Sequence, residues 1–171
     1  MAFAPGSLSN DAAAWRGQSL VGVQQLDEAG LNLVLTHAER LRGQPRDKVL
    51  ARQRGKILAN VFYEPSTRTS CSFQAAMLRL GGSVFCVAEA TSSAKKGETL
   101  EDTARSLACY ADVLVLRHPE SGAAKRAAVA SQTPTLNAGD GVGEHPTQAL
   151  LDLFTIVSAH PKAALPDART S

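Results

Sequence analysis

The sequence has little that would tie it to a membrane, a nucleic acid or a metal. Its 171 residues contain no apolar run approaching the length of a bilayer span. The N-terminal stretch MAFAPGSLSNDAAAW lacks a basic start and a long apolar segment, so it does not read as a secretory signal. Net charge is only +2, too small to argue for a polyanionic partner, so any positive charge that matters must be local. There are three cysteines, Cys71, Cys86 and Cys109, and their spacing fits neither a zinc site nor a redox pair. The expectation is reduced, buried thiols in an intracellular protein, with no metal, no cofactor, no nucleic acid and no membrane partner.

What is there is a soluble globular composition, 44% hydrophobic and 20% charged, in a chain of one ordinary domain's length. Residues 1–17 read as a poorly ordered leader, 18–160 as the domain, and 161–171 as a tail or linker that has lost periodicity. Asp27 is an N-cap candidate for a helix that ends at Gly43 and Pro45. Strand patterns at 56–63, 83–90, 112–119 and 133–141 then alternate with helix patterns at 66–80, 99–111, 122–131 and 145–160. Thr99 with Asp102 gives a capping-box-like start, and Gly81-Gly82 a stop. The alternation predicts an α/β fold with a parallel four-stranded sheet flanked by helices.

Each unusual motif falls where a strand ends, the edge at which parallel sheets collect ligands. Ser66, Thr67, Arg68 and Thr69 open a helix directly after the first strand. The first N–H groups of a helix have no internal partners and favour an anion, so this turn with its hydroxyls and guanidinium suits a phosphate or carboxylate. An ordinary serine N-cap beside an exposed arginine is the plain alternative. A loop carrying Ser92, Ser93, Lys95 and Lys96 follows the second strand, and a solvated loop is its plain reading. Arg117 closes the third strand, where an apolar run makes a charge costly without a partner. His145 precedes Pro146 at a helix start, with Gln148 one turn on. A helix N-terminus pushes such a histidine toward its neutral form, able to polarise a carbonyl, though a plain helix start is the alternative. GDGVGEH lacks the spacing of a dinucleotide turn and follows the fourth strand, not the first.

The blocks FYEPSTRTSCSFQAAMLRLGG, EATSSAKKGETLEDTARSLACYADVLVLRHP and LNAGDGVGEHPTQALLDLFTI together resemble the N-terminal domain of aspartate carbamoyltransferase, from about Leu26 to Ile156. The last block is especially similar to the corresponding domain of the eukaryotic multifunctional pyrimidine-synthesis enzyme. The resemblance implies carbamoyl phosphate and L-aspartate as substrates and carbamoyl aspartate as product. It implies that Ser66, Thr67, Arg68 and Thr69 hold the phosphate. Thr69, Arg117 and His145 would surround the carbonyl oxygen, and Gln148 would orient the carbamoyl amine. Ser92 and Lys96 would reach a neighbouring subunit's site in a homotrimer, and Glu64 would help hold two domains closed. A cytoplasmic location and membership of a larger polypeptide are further implications. The family's aspartate-binding half does not follow Ser171, so the chain itself is expected to bind without turnover. A non-catalytic phosphate-binding module and an ornithine carbamoyltransferase are the alternative readings.

Overall fold

The computed structural model describes residues 15–88 and 97–160. The leader's residues 1–14, the loop residues 89–96 and the tail 161–171 lie outside the described residues, and with them Ser92, Ser93, Lys95 and Lys96.

Local chemistry sets most element boundaries. Helix α1 spans Glu28–Arg42, and the Asp27 carboxylate accepts from Gly30 N at 2.7 Å, as its place ahead of the apolar run predicts. A short helix α2, Arg46–Val49, follows. Strand β1 is Ile57–Phe62, and α3 is Thr67–Arg79 with Ser66 at its N-cap. The end of α3 is a Schellman motif: Gly82 N donates to Met77 O and Gly81 N to Leu78 O, both at 3.1 Å. Gly81 has φ +85, and a Cβ there would sit 1.6 Å from the Leu50 carbonyl oxygen, so no other residue fits the turn.

Strand β2 is Ser83–Ala88 and α4 is Leu100–Ala108, where Thr99 Oγ1 accepts from Asp102 N at 3.1 Å. Strand β3 is Val113–His118, α5 is Ala123–Ser131, β4 is Thr135–Asp140 and α6 is Pro146–Ala159, with His145 at its N-cap. A 3₁₀ turn at Val23–Gln25 precedes α1.

All described strand pairs are parallel, and the sheet order is β2-β1-β3-β4. Side-chain alternation along the strands gives two packed faces. Ala59, Val61, Leu114 and Leu116 pack against Ala104 of α4 and Ala123, Ala124 and Ala127 of α5. The run of alanines in α5 lets that helix lie close to α4 and the sheet. Leu58, Phe62, Val115 and Ala138 pack with Met77 and Phe73 of α3 on the other face. The chain leaves β1 through α3 toward β2, and leaves β3 through α5 toward β4. The connections therefore diverge between β1 and β3, the topological switch point where such sheets open a crevice.

The cysteines correct the expectation of buried thiols: Cys71, Cys86 and Cys109 are all free and exposed. Cys71 lies on α3, whose core contacts come from Phe73 and Met77; Cys86 is on the outermost strand; and Cys109 caps the end of α4. Each has a helical or strand pattern around it but sits where no neighbouring layer covers it.

Candidate anion and carbonyl site

The crevice is built from the ends of β1, β3 and β4. The backbone ties the first two together beyond their last paired residues, with Tyr63 N donating to Arg117 O at 2.9 Å. From there β1 runs through Glu64 and Pro65 into the α3 turn, and β4 runs through a glycine-rich loop into α6.

Arg68 and Thr69 from the first turn of α3 and His145, Thr147 and Gln148 from the start of α6 line one cavity of about 760 Å³. Its remaining walls are Ser72 and apolar side chains, among them Leu35 of α1, Phe73 of α3 and Phe154 of α6. Two helix N-termini thus face one space, and the first N–H groups of both are suited to an anion or a polarised oxygen. Ser66 takes the N-cap position of α3, but its side chain makes no capping hydrogen bond, and neither does His145 for α6. Thr67 is the first helical residue beside it.

Arg117 adjoins His145 across Gly139. The Gly139 backbone has φ +111, and a Cβ there would lie 2.5 Å from Arg117 Nη1 and 3.7 Å from His145 Cδ2. Glycine is what lets the guanidinium lie on the β4 backbone, where Arg117 Nη1 donates to Ala138 O at 3.0 Å. Arg117 Nε faces Glu64 Oε2 at 3.7 Å, an ion pair too long for a hydrogen bond. Arg117 Nε and His145 Nε2 are both buried without a hydrogen-bond partner among the described residues. Buried polar atoms are almost always satisfied, so two such donors side by side at a crevice indicate a place for an acceptor.

His145 is held toward its neutral form, first by burial and then by the positive charge of Arg117. Sequence reasoning expected neutrality from the helix N-terminus; the larger cause is desolvation. Its Nδ1 lies 3.2 Å from Thr147 Oγ1. In the tautomer that carries the ring proton on Nε2, Nδ1 accepts from that hydroxyl and the unpartnered Nε2 is a donor; in the other tautomer the roles reverse. His118, which makes an edge contact with Tyr63 at 4.8 Å between ring centroids, is also depressed, chiefly by burial.

A pH dependence follows from these two rings. The unfolded chain takes up protons near the ordinary histidine value of 6.5, while the folded one resists until lower pH. Unfolded molecules therefore bind more protons in that window, and stability rises with pH through it. It is fully present above about 6.5 and lost as pH falls through the folded values. Chemical denaturation should show a loss of stability on acidification that is smaller in His145→Gln, and ¹⁵N NMR should find the His145 ring mostly neutral at pH 6.5. A ring that titrates at or above the ordinary value contradicts the geometry.

The structure thus brings Arg68, Thr69, His145 and Gln148 to one cavity, with Ser66 and Thr67 in the same turn as Arg68, Arg117 adjoining His145 across Gly139, and Glu64 facing Arg117. Gln148 is turned along its helix, its Nε2 donating to Asp152 Oδ1 at 2.9 Å. Gly139 and Thr147 were missed as contributors. A glycine inside a strand pattern, NAGD, marks a close backbone approach and was the available signal for the first.

A four-stranded parallel sheet with cationic and helix-terminal donors at the carboxyl ends of its strands defines the chain as an α/β domain. Residues 18–158 match the carbamoyl-P binding domain of the aspartate/ornithine carbamoyltransferases, and the chain belongs to that family. It is 54% identical over 141 residues to the multifunctional protein CAD of Squalus acanthias, covering 82% of this chain and 6% of that protein. It is 49% identical over 150 residues to the aspartate carbamoyltransferase catalytic subunit of Thermococcus gammatolerans, covering 86% of this chain and 49% of that one. Among solved structures, aspartate transcarbamoylase from Trypanosoma cruzi in complex with N-(phosphonacetyl)-L-aspartic acid superposes with a TM-score of 0.82 at 44% identity, over 88% of this chain and 47% of that one. The chain spans about half the length of the catalytic subunit it matches.

Proposed function

We propose that this chain is the carbamoyl-phosphate-binding half of an aspartate carbamoyltransferase in pyrimidine synthesis. The observation that carries the reading is the single cavity shared by Arg68 and Thr69 of α3 with His145 and Gln148 of α6. The α3 turn takes the phosphate through Ser66, Thr67, Arg68 and Thr69. The carbonyl oxygen meets Thr69, Arg117 and His145, of which Arg117 and His145 are held by Ala138 O and Thr147 before substrate arrives. Gln148 turns from Asp152 to hold the carbamoyl amine. When the aspartate amine attacks, the C–N bond forms and charge develops on that oxygen. Each donor aimed at it lowers the barrier by about 3 kcal/mol in sites of this kind. The oxyanion then collapses, the C–O bond to phosphate breaks with its electron pair leaving on the phosphate, and the phosphate takes the proton lost by the amine.

Aspartate is favoured over ornithine as acceptor because the relatives carrying both halves are named for aspartate. The second half supplies the aspartate contacts, with Glu64 bridging to it on closure. Ser92 and Lys96 complete a neighbour's site in a cytoplasmic homotrimer, and the chain fits within a larger multifunctional polypeptide.

Calorimetric titration of the chain with carbamoyl phosphate, alongside a mass measurement in solution, tests this. Saturable binding is expected, with no carbamoyl aspartate formed until an aspartate-binding half is supplied. No heat at saturating ligand, or an affinity left unchanged by loss of Arg68, overturns it. Lys96→Ala should weaken binding in assembled trimers and leave monomers unchanged; equal loss in monomers contradicts a shared site.

A further inference from the structure

Asp140, at the end of β4, is a buried carboxylate that plays no part in the mechanism above. Three N–H donors converge on it. Gly122 N, at the start of α5, donates to Oδ2 at 2.8 Å, while Glu144 N and Asn137 Nδ2 donate to Oδ1 at 3.0 and 3.1 Å. Asn137 is also buried, and its amide is fully used: Nδ2 donates a second bond to Val21 O at 3.0 Å, and Oδ1 accepts from Gly139 N at 2.9 Å. The Asp140 carbonyl accepts from Gly143 N at 2.8 Å, and the Glu144 carboxylate accepts from Val23 N. The start of α5 and the backbone of Glu144 are therefore fastened to the Asp140 carboxylate directly, and the 3₁₀ turn before α1 is tied to the same loop through the Glu144 carboxylate.

The fastened atoms are those that place the carbonyl donors. His145 follows Glu144 directly. Ala138 and Gly139, whose backbone Arg117 rests on, are held between Asn137 and Asp140. The α3 turn, by contrast, hangs from β1, and none of these bonds reaches it. We propose that Asp140, with Asn137 as its buried relay, is the positioning residue for the carbonyl-side donors His145 and Arg117 and not for the phosphate turn. This inference rests on the functional reading above.

Asp140→Asn keeps the shape but removes the charge and turns an amide NH₂ toward at least one of the three N–H donors, so the loop must shift. The whole chain is titrated separately with carbamoyl phosphate and with inorganic phosphate. The variant should lose about tenfold in carbamoyl phosphate affinity, the scale of outer-shell orientation effects, while phosphate affinity stays within about twofold. A merely structural role would lower both affinities together or neither, and either result overturns the inference. Should Asp140→Asn fail to fold, Asn137→Ser, which removes the Nδ2 bond to Asp140 and the Oδ1 bond from Gly139 N, decides: a carbamoyl-selective loss of about threefold supports the inference and an unchanged ratio overturns it. A wild-type chain that binds neither ligand removes the functional reading and this inference with it. A wild type that binds both, with variants that keep the ratio, removes this inference alone.

Discussion

Arg117→Ala, introduced into an enzyme that joins this domain to its aspartate-binding half, is expected to lower kcat by about 10²- to 10³-fold, the cost of losing one preorganised oxyanion donor. The guanidinium is anchored before any substrate binds: Nη1 is committed to Ala138 O, and Nε is buried without a hydrogen bond. Its remaining donors need no reorganisation when charge develops on the carbonyl oxygen. The substitution also removes the cation that helps hold His145 neutral and leaves Glu64 without its ion-pair partner. Arg117→Lys separates charge from geometry. An ammonium keeps the charge but cannot both anchor to Ala138 O and present a second rigid donor, so it should recover only a minor part of the activity. Steady-state kinetics at saturating carbamoyl phosphate decides; an alanine variant within about threefold of wild type would mean that the arginine serves only the fold.

The second large effect is expected at the other end of the substrate. Arg68→Ala should weaken binding of carbamoyl phosphate and of inorganic phosphate alike by about 10- to 100-fold, the range for charged hydrogen bonds of about 1.5–3 kcal/mol. Arg68 is exposed at the first turn of α3 and lines the cavity, so its removal opens no hole in the core and stability should barely change. The salt dependence of phosphate binding should become shallower, because one exposed cation is gone. Calorimetry with both ligands at two ionic strengths reads all three effects. Unchanged phosphate affinity would place the anion elsewhere.

These two variants also mark how far the sequence could be read. The helix starts at Asp27, Thr99 and Pro146 were legible because capping is local chemistry, written within three residues. So were the first three strands, each a short apolar run bounded by polar turns, the fourth, whose TLNAGD runs into a glycine-rich loop, and the helix stop at Gly81-Gly82. The α2 helix, Arg46–Val49, was not, because RDKV has no apolar period to betray one turn of helix. The Val23–Gln25 turn was missed for the same reason. Strand order is a tertiary property: nothing in any single run says that β1 is flanked by β2 and β3, although that order creates the crevice.

The site followed the same division. Ser66, Thr67, Arg68, Thr69, His145 and Gln148 stood out because several hydroxyls, an arginine and a histidine crowd two helix starts. Gly139 and the Asn137–Asp140 pair did not stand out. NAGD reads as the tail of a strand, and only the packed structure shows two polar side chains buried there and a guanidinium lying on the glycine. The thiols show the opposite limit: local periodicity does not report burial where an outer strand or an outer helix face has no covering layer.

The proposed function requires phosphate at the α3 turn, on the cavity that α1, α3 and α6 line, and a carbonyl oxygen beside it between His145 and Arg117. Crystals of the chain grown with carbamoyl phosphate, or with a phosphonate that keeps its carbonyl, test it most directly. The phosphorus group should lie on the N–H groups and side chains of residues 66–69, with the carbonyl oxygen within hydrogen-bond reach of Arg117 and of Nε2 of His145. Ligand bound away from Arg68, or with its carbonyl turned from both Arg117 and His145, would contradict it.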